Sequence, residues 1–146
     1  MRFIMVDGKG NPNDEEGEYS SAIEILYGLS YTIKRSPKNG PAPGGYFEYV
    51  VPPLEGLWWL SDSSMDFVQK DKFLWPSMIR QPDFVDQTVF EAAKAAFSRK
   101  KPNIEKQSSS ILSEDRVGAL KSTYSRLKIQ KGYCTGNKSM LSYYRR

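Results

Sequence analysis

The sequence predicts an α+β domain in which a small, mostly antiparallel sheet is covered by two helices. Short runs rich in β-branched and aromatic residues occupy positions 3–6, 46–51, 54–60 and 74–79, and they indicate strands. Two other segments, 21–35 and 86–101, repeat their apolar residues with the period of a helix. A strand, a helix, several strands and a second helix in this order are typical of the α+β class.

Composition sets limits on location and chemistry. The 146 residues suffice for one domain, and no run of eighteen apolar residues occurs, so we expect no membrane-spanning helix and no membrane partner. The single Cys134 cannot form an internal disulfide, which favours a cytoplasmic location. The chain contains no histidine, which excludes Ser-His and Cys-His catalysis and His-ligated metals. We expect neither a metal nor a cofactor.

Charge divides the chain into two parts. Residues 1–98 carry 9 Lys or Arg and 14 Asp or Glu, a net charge of −5, whereas residues 99–146 carry 12 and 3, a net charge of +9. We therefore predict an α+β module at residues 1–102 and a basic segment at residues 103–146. The basic segment is interpreted as either an altered second module or a partly disordered tail.

A strand and a helix come first. Residues 3–6 are apolar on both faces, as in a central strand, and the Gly, Asn and Pro residues at 7–13 indicate a turn. Ser21 and Glu24 fit a capping box at the start of the helix, and Pro37 prevents its continuation. The face predicted to lie on the sheet has the spacing i, i+3, i+4, i+7 and i+8, and it consists of Ile23, Leu26, Tyr27, Ser30 and Tyr31.

Proline residues shape the strands that follow. Pro52-Pro53 cannot lie inside a ladder, so we expect a bend between the strands at 46–51 and 54–60. Pro76 places the strand at 74–79 at a sheet edge or a bulge. Asp86 is the predicted N-cap of the second helix, whose apolar face repeats the spacing of the first and which ends before Pro102.

Glu55 and the adjacent Trp58 and Trp59 form the most distinctive stretch of the chain. Because neighbouring side chains of a strand point to opposite faces, one indole should face the core and the other a second layer, a ligand or a partner. A carboxylate beside aromatic faces suits a flat or cationic small molecule. Packing of both indoles in an ordinary mixed core is the alternative.

Four motifs carry a family resemblance. They are Asp7-Gly-Lys-Gly-Asn-Pro-Asn13, Leu26-Tyr-Gly-Leu-Ser-Tyr31 with Lys34, Pro53-Leu-Glu-Gly-Leu-Trp-Trp59 and Trp75-Pro-Ser-Met-Ile-Arg-Gln-Pro-Asp-Phe-Val85. In this order they resemble the GyrI-like small-molecule-binding family, which is related to the effector-binding domains of bacterial multidrug-responsive transcription activators. The match covers about the first hundred residues.

The resemblance implies two similar α+β modules that share a sheet, with a pocket between them for hydrophobic, often cationic or aromatic, compounds. Some stand-alone members of this family hydrolyse reactive cyclopropane-bearing natural products, and the founding relative inhibits DNA gyrase. The ligand-binding positions implied for this chain are Tyr31, Glu55, Trp58, Trp59, Trp75 and Met78.

The last third of the chain departs from the family pattern. The family's second half normally supplies a Glu-Gly-x-Cys strand and a His-His-Glu-Ile-Tyr strand whose glutamate reaches the pocket, and neither is present here. We therefore interpret the second module as degenerate, or as a frameshifted or recombined C-terminus. Catalytic residues stay unassigned, with Glu55 and Tyr31 as the only nominees.

Three functions are compatible with these observations. The first is binding of a hydrophobic, aromatic or cationic small molecule in a tryptophan-lined pocket, and the second is hydrolysis of strained electrophilic rings by Glu55 with Tyr31. The third is contact of the basic tail with nucleic acid or gyrase, for which a solvated tail is the stronger alternative. A half-domain with open sheet edges would also favour a homodimer.

Overall fold

Five strands and two long helices build the described part of the protein. The structure is a computed structural model that describes residues 2–11, 13–60, 73–102, 109–113 and 130–134, with residues 58–60, 109–113 and 130–134 described by their backbone alone. The elements in chain order are β1 (Arg2–Lys9), α1 (Glu18–Lys34), α2 (Ser36–Asn39), β2 (Leu54–Leu60), β3 (Phe73–Gln81), α3 (Gln87–Lys100), β4 (Ser109–Ser113) and β5 (Gln130–Cys134). The predicted α+β class is confirmed.

The strands form one sheet in the order β4-β1-β3-β2-β5, and each neighbouring pair is antiparallel. Helix α1 packs on β1 and β3, and α3 packs beside α1. Strand β1 has a neighbour on each side, as its apolar sequence predicted. It also continues through residues 7–9, which were assigned to a turn, because those residues pair with the start of β3.

The predicted edge position of Pro76 is wrong, since Pro76 lies in β3, the central strand. On one side it pairs with Asp7 of β1. On the other side, the pairing with β2 runs from Leu54↔Ile79 to Gly56↔Ser77 and resumes at Trp59↔Leu74 in the same register. The ladder is thus interrupted opposite the residue that lacks an N–H, and no bulge is needed.

The strand predicted at residues 46–51 is also wrong, because this segment has no regular structure. Its aromatic rings pack instead around Phe84, at centroid distances of 5.3 Å for Tyr46 and 5.9 Å for Phe47 and Tyr49. The Tyr46 hydroxyl donates to the carbonyl of Lys34 at the end of α1. The aromatic residues that predicted a strand therefore form a side-chain cluster instead.

Helix α1 differs from its prediction at the start and in its rotation. It begins at Glu18 with Gly17 as N-cap, so the Ser21–Glu24 capping box is wrong. The Ser21 hydroxyl donates to the Gly17 carbonyl instead. The buried face is also rotated away from the predicted one, and it consists of Tyr19, Ala22, Ile25, Leu26, Leu29, Ser30 and Ile33.

Helix α3 begins as its sequence predicts. The Asp86 carboxylate accepts a hydrogen bond of 2.8 Å from the backbone N–H of Val89, which satisfies one of the free donors of the first turn. Phe90 and Ala93 complete the core under α1.

Two stretches of the basic segment contribute backbone to the sheet. Strand β4 pairs with β1, and β5 pairs with β2. The boundary near residue 102, the degenerate second module and the nucleic-acid hypothesis stay predictions, because most of residues 103–146 lie outside the described part.

Candidate functional site

The two faces of the sheet have different surroundings. Ile4, Val6, Leu54, Trp75 and Ile79 belong to the core that α1 and α3 cover. Because strand side chains alternate, the residues between them point to the opposite side, which we call the far face. Five of the described far-face residues are buried, namely Phe3, Met5, Leu57, Pro76 and Met78.

Glu55 lies on the far face, in the same row as two methionines. Its Cα pairs with that of Met78, which in turn pairs with Met5 of β1. Glu55 is half-buried, whereas Met78 has no exposed surface. The row therefore places a half-buried carboxylate beside buried apolar side chains.

Trp75 is not part of this site, although the family resemblance groups it with Glu55 and Met78. It is 1% exposed on the helix side, where its ring meets Tyr19 edge-on at 5.0 Å and 86°. Trp75 and Met78 are three residues apart on one strand, so alternation sends them to opposite faces. The spacing alone could have predicted their separation.

Trp58 and Trp59 lie on β2, as predicted. Their backbones pair with Gln130 of β5 and Leu74 of β3, respectively. The positions of both indole rings fall outside the described part of the chain. A tryptophan lining of the far face therefore stays a prediction.

Tyr31 is separated from Glu55 by the sheet and the core. It lies on α1 with 42% of its surface exposed, next to an open groove of about 480 Å³ that runs beside α1 and reaches α3. The two nominated catalytic residues thus do not share a site in this structure.

Arg80 and Asp7 are far-face residues that the sequence reasoning did not identify. The Arg80 guanidinium lies 5.5 Å from the ring centre of Phe3, its direct partner across the ladder. Within the described residues, the buried Arg80 Nε has no hydrogen-bond partner. The Asp7 side chain reaches solvent, yet partial burial of its carboxyl raises its pKa. Arg80 is two residues from Met78 and Asp7 is two residues from Met5, so the alternation of side chains along a strand could have placed both on the far face.

The described residues lack two features. Among them, no group of three or more His, Cys, Asp or Glu residues could hold a metal ion. None of the helices described is long and apolar enough to cross a membrane.

The solved structures similar to this chain include three from Listeria innocua. One is a hydrolase with 44% sequence identity and a TM-score of 0.67, covering 77% of this chain and 53% of its own. An uncharacterized conserved protein has 43% identity, a TM-score of 0.68 and the same coverage. A further hydrolase structure has 42% identity, a TM-score of 0.62 and coverages of 78% and 54%.

This chain therefore spans about half the length of the proteins that it resembles. No family model matches the chain, and neither does any curated protein.

Proposed function

We propose that this chain is a GyrI-like module that binds hydrophobic, aromatic or cationic small molecules on the far face of its sheet. The observation that carries this proposal is the row of Glu55, Met78 and Met5, in which a half-buried carboxylate adjoins an apolar floor. Two of the similar Listeria proteins are described as hydrolases, which bears on the second candidate below and not on binding.

The physical basis is a sum of burial and charge. An apolar ligand that binds on the far face gains about 25 cal/mol for each Å² of its own apolar surface that it removes from water. A cationic group near Glu55 is attracted more strongly than in bulk water, because the surrounding atoms lower the local dielectric. If an indole of β2 also reaches the far face, a cation–π contact adds roughly 0.5–2 kcal/mol.

Calorimetric titration with rhodamine 6G, a flat hydrophobic cation, tests the proposal. We expect micromolar binding to the wild-type chain and a loss of about tenfold in Glu55→Gln, which corresponds to ~1.4 kcal/mol. Glu15→Gln is the matched control, because Glu15 is exposed in the loop between β1 and α1. No heat at high micromolar dye, or equal affinity of all three proteins, would contradict the proposal.

Hydrolysis is the second candidate, because two of the similar Listeria structures are of hydrolases, and strained electrophilic rings are the substrate class that we propose for it. In such a reaction, water adds its hydroxyl to one carbon of the opened ring and a proton goes to the other. Glu55 would position the water or relay the proton. Tyr31 cannot assist from its place beside the groove.

Turnover of a cyclopropane-bearing alkylating agent, followed by mass spectrometry, tests this second candidate. We expect ring-opened product with the wild-type chain and with Glu15→Gln, and a loss of at least a hundredfold in Glu55→Gln. Equal rates in the presence and absence of protein would leave binding as the function, and equal rates in Glu55→Gln would remove Glu55 from the reaction.

A further inference from the structure

A groove on the helix side of the protein is independent of the far face. Its long wall is the outer stripe of α1, from Ser20 to Arg35, a length of about 22 Å at 1.5 Å per residue. The last turn of α3 forms the other wall through Phe97. We call this feature the helix groove, and its volume of about 480 Å³ lies in the range of small-molecule sites.

Aromatic rings line the helix groove. Tyr27 and Tyr31, one turn apart, are stacked with centroids 6.5 Å apart and an angle of 26° between their planes. Gly28 admits the Phe97 ring beside them, since a Cβ at Gly28 would lie only 2.2 Å from that ring. These rings form a surface that a second flat ring can cover.

Arg35 extends the row of rings by one more turn. Its guanidinium carbon lies 5.5 Å from the centre of the Tyr31 ring, and within the described residues no carboxylate pairs with it. The guanidinium therefore keeps its donors for a partner in the groove.

Three carbonyls at the end of α1 accept hydrogen bonds from donors other than the Arg35 guanidinium. The backbone N–H of Arg35 bonds to the carbonyl of Tyr31. The Ser36 hydroxyl donates to the carbonyl of Ile33, and the Tyr46 hydroxyl donates to that of Lys34. Because other donors satisfy these oxygens, the Arg35 side chain is not needed to cap the C-terminus of α1.

The other charges of the helix groove cancel each other. Lys101 and Glu24 form an ion pair at the end of the groove farthest from Arg35. Among the described residues that line the groove, Arg35 is then the one cation without a carboxylate partner, and it lies beside the stacked rings. We propose that the helix groove binds a flat aromatic anion, with its ring against Tyr27, Tyr31 and Phe97 and its carboxylate on Arg35. The geometry of a guanidinium matches a carboxylate with two parallel hydrogen bonds.

The experiment is a titration of the full chain with 2-naphthoate, followed by two-dimensional NMR of the backbone amides. We expect the largest shifts at Tyr27, Gly28 and Tyr31. The affinity should fall about tenfold in Arg35→Gln, the loss of one charge-assisted contact. Lys38→Gln is the matched control, since Lys38 is an exposed cation on α2 just outside the groove. It should bind like the wild type.

The charge of the probe supplies a second comparison. The cation 2-naphthylmethylammonium carries a similar ring, and it should bind at least tenfold more weakly than 2-naphthoate. Any of four results would overturn the proposal: no binding of 2-naphthoate, equal affinity in Arg35→Gln, equal affinity for the cation, or shifts confined to other surfaces. A fifth such result would come from sedimentation at the NMR concentration. If the chain is a dimer that Arg35→Gln dissociates, a second copy of the chain occupies the groove.

The outcome is separable from that of the far-face proposal. The two sites lie on opposite sides of the sheet and favour ligands of opposite charge. Glu55→Gln should leave 2-naphthoate binding unchanged, and Arg35→Gln should leave rhodamine 6G binding unchanged.

Discussion

Gly8→Ala should destabilise the protein, although replacing glycine within a strand usually helps. A Cβ at Gly8 would lie 2.3 Å from Cη2, 2.5 Å from Cζ2 and 2.9 Å from Cζ3 of Trp75. Ordinary contacts between carbon atoms are about 3.5–4.0 Å, so the ring would have to retreat by more than about 1 Å. Trp75 is 1% exposed and held edge-on by Tyr19, which leaves no free space for that movement.

The magnitude follows from two opposing terms. Overpacking a filled core costs about 1–3 kcal/mol, while the loss of glycine's freedom in the unfolded chain returns about 0.4–1 kcal/mol. We expect the free energy of unfolding to fall by about 1.5 kcal/mol. For a chain of this size, the corresponding decrease in Tm is about 3–6 °C.

Calorimetry and urea denaturation of Gly8→Ala measure this loss, with Gly44→Ala as the control. A Cβ at Gly44 meets no atom within 4 Å, so that variant should be unchanged or slightly stabilised. The cause is tested by repeating Gly8→Ala in a Trp75→Phe background. Phenylalanine lacks the outer part of the indole, and we expect the loss to shrink by about 1 kcal/mol.

Two results would refute the reasoning about Gly8. One is a stability of Gly8→Ala equal to that of the wild type. The other is an identical loss with and without the Trp75→Phe substitution, which would show that the indole ring is not the obstacle.

Three further predictions concern individual side chains. Asp86→Ala should lower the free energy of unfolding by about 1 kcal/mol in urea denaturation, because the cap of α3 is lost. Ser30→Ala removes the nearer of two acceptors of the buried Gln81 amide, at 2.9 Å, and leaves the Ile79 carbonyl at 3.4 Å, so we expect a loss of about 1–3 kcal/mol that Gln81→Met in the same chain largely restores. Burial raises the pKa of Tyr49 to about 12, above the value of about 10 in the unfolded chain. Its contribution to stability is therefore complete below pH 10 and lost between pH 10 and 12, and Tyr49→Phe should flatten that part of a stability–pH curve.

The parts of the fold that the sequence predicted correctly depend on neighbouring residues. Asp86 caps α3 through a residue three positions away, and β2 begins at Leu54, directly after Pro52-Pro53. Such patterns can be read from a short window of sequence.

The errors depend on partners that are distant in sequence. Pro76 is tolerated at the centre of the sheet because the β2–β3 ladder is interrupted beside it. The rings of Tyr46, Phe47 and Tyr49 pack around Phe84, and their segment does not form the predicted strand. Propensity alone does not specify which strand is central or which residue will receive an aromatic ring.

The candidate site could be predicted in part. Glu55 and Met78 were identified through family motifs, and the structure pairs them on adjacent strands. Trp75 was misplaced because its odd spacing from Met78 was not used. Tyr31 was grouped with Glu55 through the family motifs. Its predicted place on the sheet-facing side of α1 was a separate error, because a periodic pattern cannot tell the centre of a buried stripe from its flank.

The most direct test of a small-molecule site on the far face uses the methyl groups of methionine. The chain has five methionines, two of which, Met5 and Met78, lie in the row of Glu55. Methyl NMR during titration with rhodamine 6G should show saturable shifts at Met5 and Met78, which Glu55→Gln moves to about tenfold higher dye concentration. Methyl resonances of Met5 and Met78 that stay fixed up to high micromolar dye would contradict the account.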